Sequence, residues 1–305
     1  MADDLTPRPA GTPAQDGDGH LRPRRSVLYM PGANERALDK ARTLPADALI
    51  LDLEDSVAPD AKAEARERVA AAVAAGGYGH REVTVRVNAP GTPWHADDLR
   101  AAAQAGPDAV VVPKVDDPRT VTAVVEALEA AGAPDRTAVW AMLETPAAIF
   151  DARRVAAACD RLTVLVMGTN DLVKELHAEH VPGRAPLLTA LSLALLAARA
   201  EGRVILDGVY NDVRDLPGFE AETLQARRLG FDGKTLIHPG QIEPCNRVFA
   251  PAAEDVDRAR RIVAAFDQAT SQGRGVVTVD GRMIENLHVE EARRLLALAA
   301  AVEGR

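Results

Sequence analysis

The chain has 305 residues, is 47% hydrophobic, and carries 36 basic against 45 acidic residues for a net charge of −9. With no large basic block, that balance excludes a nucleic-acid face, and no apolar run approaches the ~20 residues of a membrane span. The length suffices for one sizeable core, as one large domain or a domain with an appendage.

Residues 1–23 are rich in Pro, Gly, Asp and Thr. They lack the apolar core of a signal peptide and the Arg-rich pattern of a transit peptide, so a disordered tail and a cytoplasmic protein are expected. Cys159 and Cys245 lie far apart and read as reduced thiols. From Ser26 on, short β-rich runs alternate with Ala-rich amphipathic stretches. Strands are expected at 27–31, 48–54, 82–88, 109–114, 138–144, 162–167, 203–210 and 233–238. Helices are expected near 34–44, 60–75, 96–105, 117–132, 146–158, 186–201, 217–230 and 252–269. Most of the strand runs are almost continuously apolar, as parallel strands covered on both faces are. Repeated β-α units of this kind predict a (β/α)₈ TIM barrel over 24–270, with a doubly wound open sheet as the competing arrangement.

Boundary residues agree with these elements. Asp117-Pro118 and Thr145-Pro146 each place a capping side chain before a first-turn proline, and Gly132 and Gly230 fall where helices should stop. Two prolines and a glycine at 179–186 mark a loop over the rim, a candidate lid. After a Gly-containing linker at 271–275, Val276 to Ile284 reads as a strand pair around an Asp-Gly turn, followed by a helix at 289–302. The segment 271–305 is therefore a hairpin-plus-helix extension outside the barrel.

In a TIM barrel the chemistry sits where strands end and the following loops begin. Those positions hold Tyr29, the run Asp52-Leu53-Glu54-Asp55, Arg86, Lys114, Glu144, Asp171 and His238. Glu144 and Asp171 close successive strands, so they lie side by side on one rim. Two carboxylates there suit Mg²⁺, with Mn²⁺ as the alternative, because such ions take oxygen ligands and keep several waters. Structural ion pairing is the competing account of these acids and of Arg86, whose other reading is contact with an anion or oxyanion. Asp52, Glu54 and Asp55 read as supporting or helix-capping groups. Lys40, in the first expected helix, reads by itself as a solvated lysine, His238 as a hydrogen-bonded structural histidine, and Lys114 as one half of a rim ion pair.

Ordered along the chain are Arg25-Ser26-Val27-Leu28-Tyr29-Met30-Pro31-Gly32, Leu51-Asp52-Leu53-Glu54-Asp55-Ser56-Val57-Ala58-Pro59, Val85-Arg86-Val87-Asn88, Val112-Pro113-Lys114-Val115, Leu143-Glu144-Thr145, Ile237-His238-Pro239 and Gly281-Arg282-Met283-Ile284. This series resembles the HpcH/HpaI aldolase and citrate lyase β-subunit superfamily, most closely its malyl-CoA and citramalyl-CoA lyases. The resemblance implies magnesium on Glu144 and Asp171, and Arg86 against the reacting acyl group. Tyr29, Lys40, Ile237 and His238 would contact CoA. Arg36 would do so in place of the arginine that the family often carries where Asn34 stands. It also implies a homotrimer, or a hexamer of two trimers, in which the extension caps a neighbouring subunit. There Glu285 occupies the position of the family's catalytic aspartate. The implied activity is Mg-dependent carbon–carbon cleavage of a 3-hydroxy-3-carboxyacyl-CoA to acetyl-CoA and a 2-oxo acid. A malyl-CoA thioesterase, a citrate lyase β-subunit acting on an acyl carrier protein and a non-catalytic CoA-binding protein are the alternatives.

Overall fold

A computed structural model describes residues 22–304; the expected tail falls outside the described residues except for 22 and 23. Among the described residues, eight parallel strands pair in chain order. They are β1 (Ser26–Pro31), β2 (Ala48–Asp52), β3 (Glu82–Arg86), β4 (Ala109–Val112), β5 (Ala138–Leu143), β6 (Leu162–Met167), β7 (Val204–Asp207) and β8 (Gly233–Leu236). Val27 and Leu28 of β1 pair with Thr235 and Leu236 of β8, so the sheet closes on itself and the open-sheet arrangement is set aside. Several strands stop one or two residues short of the expected ends, because the polar residues there turn into the loops that carry the site.

The helices of this unit are α1 (Glu35–Ala41), α2 (Lys62–Ala75), α3 (His95–Ala105), α4 (Pro118–Ala130), α5 (Pro146–Phe150), α6 (Ala152–Ala156), α7 (Thr169–Glu175), α8 (Leu188–Ala200), α9 (Leu216–Leu229) and α10 (Ile242–Phe249). Their starts follow the sequence chemistry. Asp117 accepts from the amides of Arg119 and Thr120, and Thr145 Oγ1 accepts from Ala148, each ahead of a proline whose missing N–H is no loss at that position. The single helix expected at 146–158 is divided at Asp151 into α5 and α6.

Alternate strand residues face inward. Inside the barrel, Ala48 and Ala109 combine with Ile50, Val111, Trp140, Met142, Val164, Val166 and Leu206, so that small residues leave room for the indole. The opposite faces, with Leu49, Leu51, Val110, Leu143 and Leu165, pack under the helices. At the end where strands begin, Arg24 bonds Glu82 through Nε and Nη2 at 2.6 and 2.8 Å, and its guanidinium lies 5.5 Å from the Trp140 ring centroid. Outside β7, Asp207 accepts from Arg184 at 2.7 Å and from Lys234 at 2.7 Å, and Lys234 also bonds Glu222 at 2.8 Å. Every charge in that buried group has an opposite partner, which burial demands.

The chain divides into two compact units, one from Arg24 to Phe249 and one from Ala250 onward. The division falls earlier than the expected boundary at 270, because α11 (Ala253–Ser271) shares a core with the C-terminal hairpin and the last helix. Ala259 and Ile262 of α11 cluster with Ile284, Val289 and Ala292. In this second unit β9 (Val277–Val279) and β10 (Arg282–Ile284) form an antiparallel pair, followed by α12 (Asn286–Glu303). The turn uses Asp280 at φ 50° and Gly281 at φ 74°, the two left-handed residues of a tight hairpin.

Candidate active site

Where the barrel strands end, a cavity of about 390 Å³ is lined by Tyr29, Pro31, Asp52, Asp55, Ser56, Arg86, Met142, Glu144, Met167, Gly168, Thr169, Asn170, Asp171, Val209, Asn211, Thr235 and Ile237. A larger groove of about 710 Å³ lies between α3 and α4, with alanines, Leu99 and Val124 prominent in its lining. It gathers no paired acids, so the chemistry belongs to the smaller cavity.

One side of that cavity is built by β2 and β3. Arg86 grips Asp52 with two parallel bonds, Nε to Oδ1 at 2.6 Å and Nη2 to Oδ2 at 2.8 Å. Its Nη1 lies 2.9 Å from Glu54 and 3.3 Å from Asp55. Among the described residues these contacts engage at most four of the five guanidinium N–H groups, so one donor is left unused by them. The guanidinium also covers the Tyr29 ring, 4.8 Å from its centroid. Burial opposes ionisation of Asp52, but the charge and bonds of Arg86 outweigh it and hold the carboxyl below its ordinary range. Glu54 goes the other way. Burial, and then the charges of Asp55, Glu144 and Asp52, push it up to about 8 despite Arg86. Burial likewise pushes the Tyr29 hydroxyl upward.

The loops behind this side are tied together. Lys62 donates to the carbonyls of Leu53 and Glu54 at 2.8 and 2.7 Å, and Asn88 Nδ2 donates to Leu53 at 2.9 Å. The buried Asp98 accepts from Arg66 at 2.6 Å and from the Asn88 side chain at 2.6 Å. Sequence reasoning passed over Lys62 and Asp98, since a lysine and an aspartate in a polar helix look solvated until the fold buries them.

The other side is built by β5 and β6. Glu144 is almost wholly buried, and its Oε1 accepts from the Lys114 backbone N–H at 2.7 Å. Burial, and then the charge of Asp171, push Glu144 up to about 7. Asp171 lies in the first turn of α7, a residue or two inside the helix rather than in the expected open turn. Lys114 Nζ stands 3.8 Å from Asp171 Oδ1. Gly168 leaves the Glu144 side chain its space, because a Cβ there would run into Glu144 Cβ and Oε2. Gly208 does the same for the start of α7: its Cβ would lie 2.6 Å from Thr169 Cγ2 and 2.9 Å from the Met167 carbonyl oxygen. Across the mouth, Asn170 and Asn211 exchange side-chain amide bonds of 3.0 and 2.8 Å. Neither these glycines nor this amide pair carries a sequence signal apart from its place after a strand.

The remaining expected residues fall in three places. Ile237 lines the cavity, while His238 is exposed and its Nδ1 accepts from the Gly240 N–H at 3.0 Å, a helix-capping bond. Arg36 and Lys40 lie one turn apart on α1, both exposed and neither among the cavity residues. Asn34, which stands where an arginine was looked for, caps α1 by accepting from the Ala37 N–H at 3.1 Å. Glu285 is exposed in the C-terminal unit at the start of α12, and its backbone N–H donates to His288 Nδ1 at 3.1 Å.

Among the described residues no group of three or more His, Cys, Asp or Glu side chains gathers to hold a metal. Two carboxylates with room above them match instead an ion that takes most of its shell from water and substrate oxygens. The pair of Glu144 and Asp171, with only the loosely placed Lys114 Nζ as its neighbouring ammonium, fits such an ion, and a cation there would oppose the burial and repulsion that raise Glu144.

A parallel barrel with acids, an arginine and a concave mouth at its strand ends defines the class, an enzyme-type TIM barrel. The model of the HpcH/HpaI aldolase/citrate lyase family matches residues 25–239, and that of the C-C bond lyases of the TIM-barrel fold matches 188–302. A (3S)-malyl-CoA thioesterase of Cereibacter sphaeroides is 50% identical over 280 residues, covering 92% of this chain and 96% of the relative. The citrate lyase subunit beta of Escherichia coli is 38% identical over 283 residues, covering 91% and 94%. The CitE protein of Mycobacterium tuberculosis, solved with magnesium, acetoacetate and coenzyme A, aligns with TM-score 0.75 and 30% identity over 92% of this chain and all of that one. The chain belongs to the HpcH/HpaI aldolase/citrate lyase family. Among the described residues no helix is long and apolar enough to cross a membrane.

Proposed function

We propose that this protein is a magnesium-dependent enzyme of 3-hydroxy-3-carboxyacyl-CoA thioesters, with hydrolysis of a (3S)-malyl-CoA-type substrate as its reaction. The observation that carries hydrolysis is the 50% identity, over nearly the full length of both chains, to a (3S)-malyl-CoA thioesterase. The sequence resemblance put carbon–carbon cleavage first. It remains the second reading, favoured by the match of 188–302 to the C-C bond lyases and by the citrate lyase relatives.

Glu144 and Asp171 would hold a magnesium ion, which when bound would supply Lewis-acid polarisation of substrate oxygens. The chain's own groups do the rest. Arg86, held rigid by Asp52, turns its remaining N–H toward the thioester oxygen, where negative charge grows in either reaction. In hydrolysis, water adds to the thioester carbon, the carbon–sulfur bond breaks, and the proton released by water ends on the departing sulfur. The products are free CoA and the hydroxy diacid. In cleavage, a base takes the hydroxyl proton, the bond from the hydroxyl-bearing carbon to the carbon beside the thioester breaks, the hydroxyl oxygen becomes the carbonyl of the 2-oxo acid, and the thioester survives as an enolate that is then protonated. Met142, Met167 and Val209 line the space where a hydrogen or a methyl beside the hydroxyl would sit. Such a pocket separates the two by only ~1–3 kcal/mol. Arg36 and Lys40, exposed on one face of α1, are the proposed contacts for CoA phosphates, with Tyr29, Ile237 and His238 completing the CoA site.

Glu285 is the proposed acid–base group, delivered by a second copy in a trimer or hexamer. Mixing a Glu144→Gln protein with a Glu285→Gln protein should then restore part of the activity that each lacks alone. No recovery, with both variants folded and mixed oligomers formed, removes Glu285 from a neighbour's site. The reaction itself is tested with malyl-CoA and citramalyl-CoA plus Mg²⁺, following thiol and 2-oxo acid together. Thiol without 2-oxo acid is the expected result. Glyoxylate or pyruvate without thiol would establish cleavage instead.

A further inference from the structure

Lys114 touches both proposed metal acids by two different routes. Its backbone N–H donates to Glu144 Oε1 at 2.7 Å, while its Nζ stands 3.8 Å from Asp171 Oδ1. The backbone contact requires an unusual conformation. Lys114 sits at φ 52°, left-handed for a residue with a Cβ, directly after the proline that ends the β4 strand run. Such a conformation costs energy and persists where the surroundings impose it, most often at functional sites. The residue is thus fixed at its main chain and loose at its tip: 46% of the side-chain surface is exposed, and the ion pair is long for a direct bond.

We infer that Lys114 is the resident counter-cation of this acid pair, neutralising Asp171 while no divalent ion is bound and turning to an anionic substrate group once one is. The inference rests on the reading of Glu144 and Asp171 as metal acids. The reasoning is electrostatic. Glu144 and Asp171 repel each other, and Lys114 is the cation paired with the more exposed of them. A divalent ion held by these acids would supply that charge and repel the ammonium. The four-carbon stem lets Nζ swing, whereas the backbone bond to Glu144 holds its root on the rim. The group it would meet there is the carboxylate of the acyl moiety, the anion that a hydroxy-acid substrate brings to such an ion. Lys114 would then hand over from protein carboxylate to substrate carboxylate without its own backbone moving.

The test is calorimetric titration of Mg²⁺ into the substrate-free wild-type, Lys114→Met and Lys114→Arg proteins, followed by malate titration at saturating Mg²⁺. Removing a unit charge at this range from a partly exposed acid changes cation affinity by about 5- to 10-fold. Lys114→Met is therefore expected to bind Mg²⁺ about 5- to 10-fold more tightly than wild type, on the same electrostatic grounds. It should bind malate correspondingly more weakly, while Lys114→Arg stays near wild type in both. Mg²⁺ binding that is unchanged or weakened in Lys114→Met, with wild type binding normally, overturns the inference and leaves the metal reading intact. No Mg²⁺ binding by the wild type overturns the metal reading, and the inference with it.

Discussion

Each side of the cavity holds a buried carboxylate, and the two, Asp52 and Glu144, are shifted in opposite directions. On the β2 and β3 side, Asp52, Glu54 and Asp55 share Arg86, and Asp52 is held in its ionised form. On the β5 and β6 side, Glu144 has one backbone N–H and Asp171 a lysine at 3.8 Å, and Glu144 is pushed up to about 7. The two-pronged Arg86–Asp52 pair serves as a fixed donor because its geometry is settled before substrate arrives. An under-compensated acid pair is a place for positive charge. The difference teaches that acids at barrel rims are sorted into support and ligand roles by their cations, which the acids themselves do not reveal.

The sharpest way to break the contrast is to remove Glu144. Glu144→Ala should lower Mg-dependent turnover by more than the about 10- to 100-fold that loss of a supporting contact costs. Calorimetry should find Mg²⁺ binding lost as well. A variant that keeps wild-type turnover with all metal chelated would end the metal reading. Next comes the donor side. Arg86→Lys keeps the charge but loses the two-pronged grip on Asp52, so kcat should fall by about 10²–10³ with a smaller change in KM. A fall confined to KM would make Arg86 a binding group only.

Gly168→Ala tests the placement of Glu144 without altering a charge. Its new methyl meets Glu144 directly, so Mg²⁺ affinity should drop by about 10-fold while the helical circular dichroism persists. Retained affinity would mean that Glu144 has another place to stand. The smallest effect on activity, though one on stability, is expected at the buried cluster behind β7. Asp207 is fully buried, and although burial opposes its charge, Lys234 and Arg184 hold its carboxyl below the ordinary value. Its stabilisation is therefore present above the unfolded pKa of about 3.9 and is lost as pH falls through the lower folded value. Urea midpoints for Asp207→Asn should be reduced at pH 7, and the variant should lose part of the wild type's steep decline below pH ~4. An acid limb unchanged by the substitution would show that other carboxylates govern it.

The barrel was legible because most strand runs were apolar and several helices began at a capping residue such as Asp117 or Thr145. Glu144 and Asp171 were legible because strand ends fix which side chains reach the rim. What the sequence could not display were relations across the fold. That Asp52 takes Arg86, leaving Glu144 without a guanidinium, depends on which neighbours lie within about 3 Å, hydrogen-bonding range, and sequence spacing does not encode this. The compact units divide at Phe249 rather than near 270 for a related reason. The amphipathic pattern of 252–269 announces a helix, but the partner of its apolar face, Ile284 and Val289, lies beyond the linker. The stretch at 179–186 showed its prolines and glycine, while the burial of Arg184 within it left no local mark.

That arginine has a kinetic consequence. Arg184 sits at φ 53° with its side chain 5% exposed, bonded to both oxygens of Asp207 and to Gln225. A loop nailed down by a buried charge pair opens only by breaking it, so it does not behave as a quick lid. Its backbone amides that bond within the protein should exchange with deuterated water as slowly as amides in the neighbouring helices rather than within seconds.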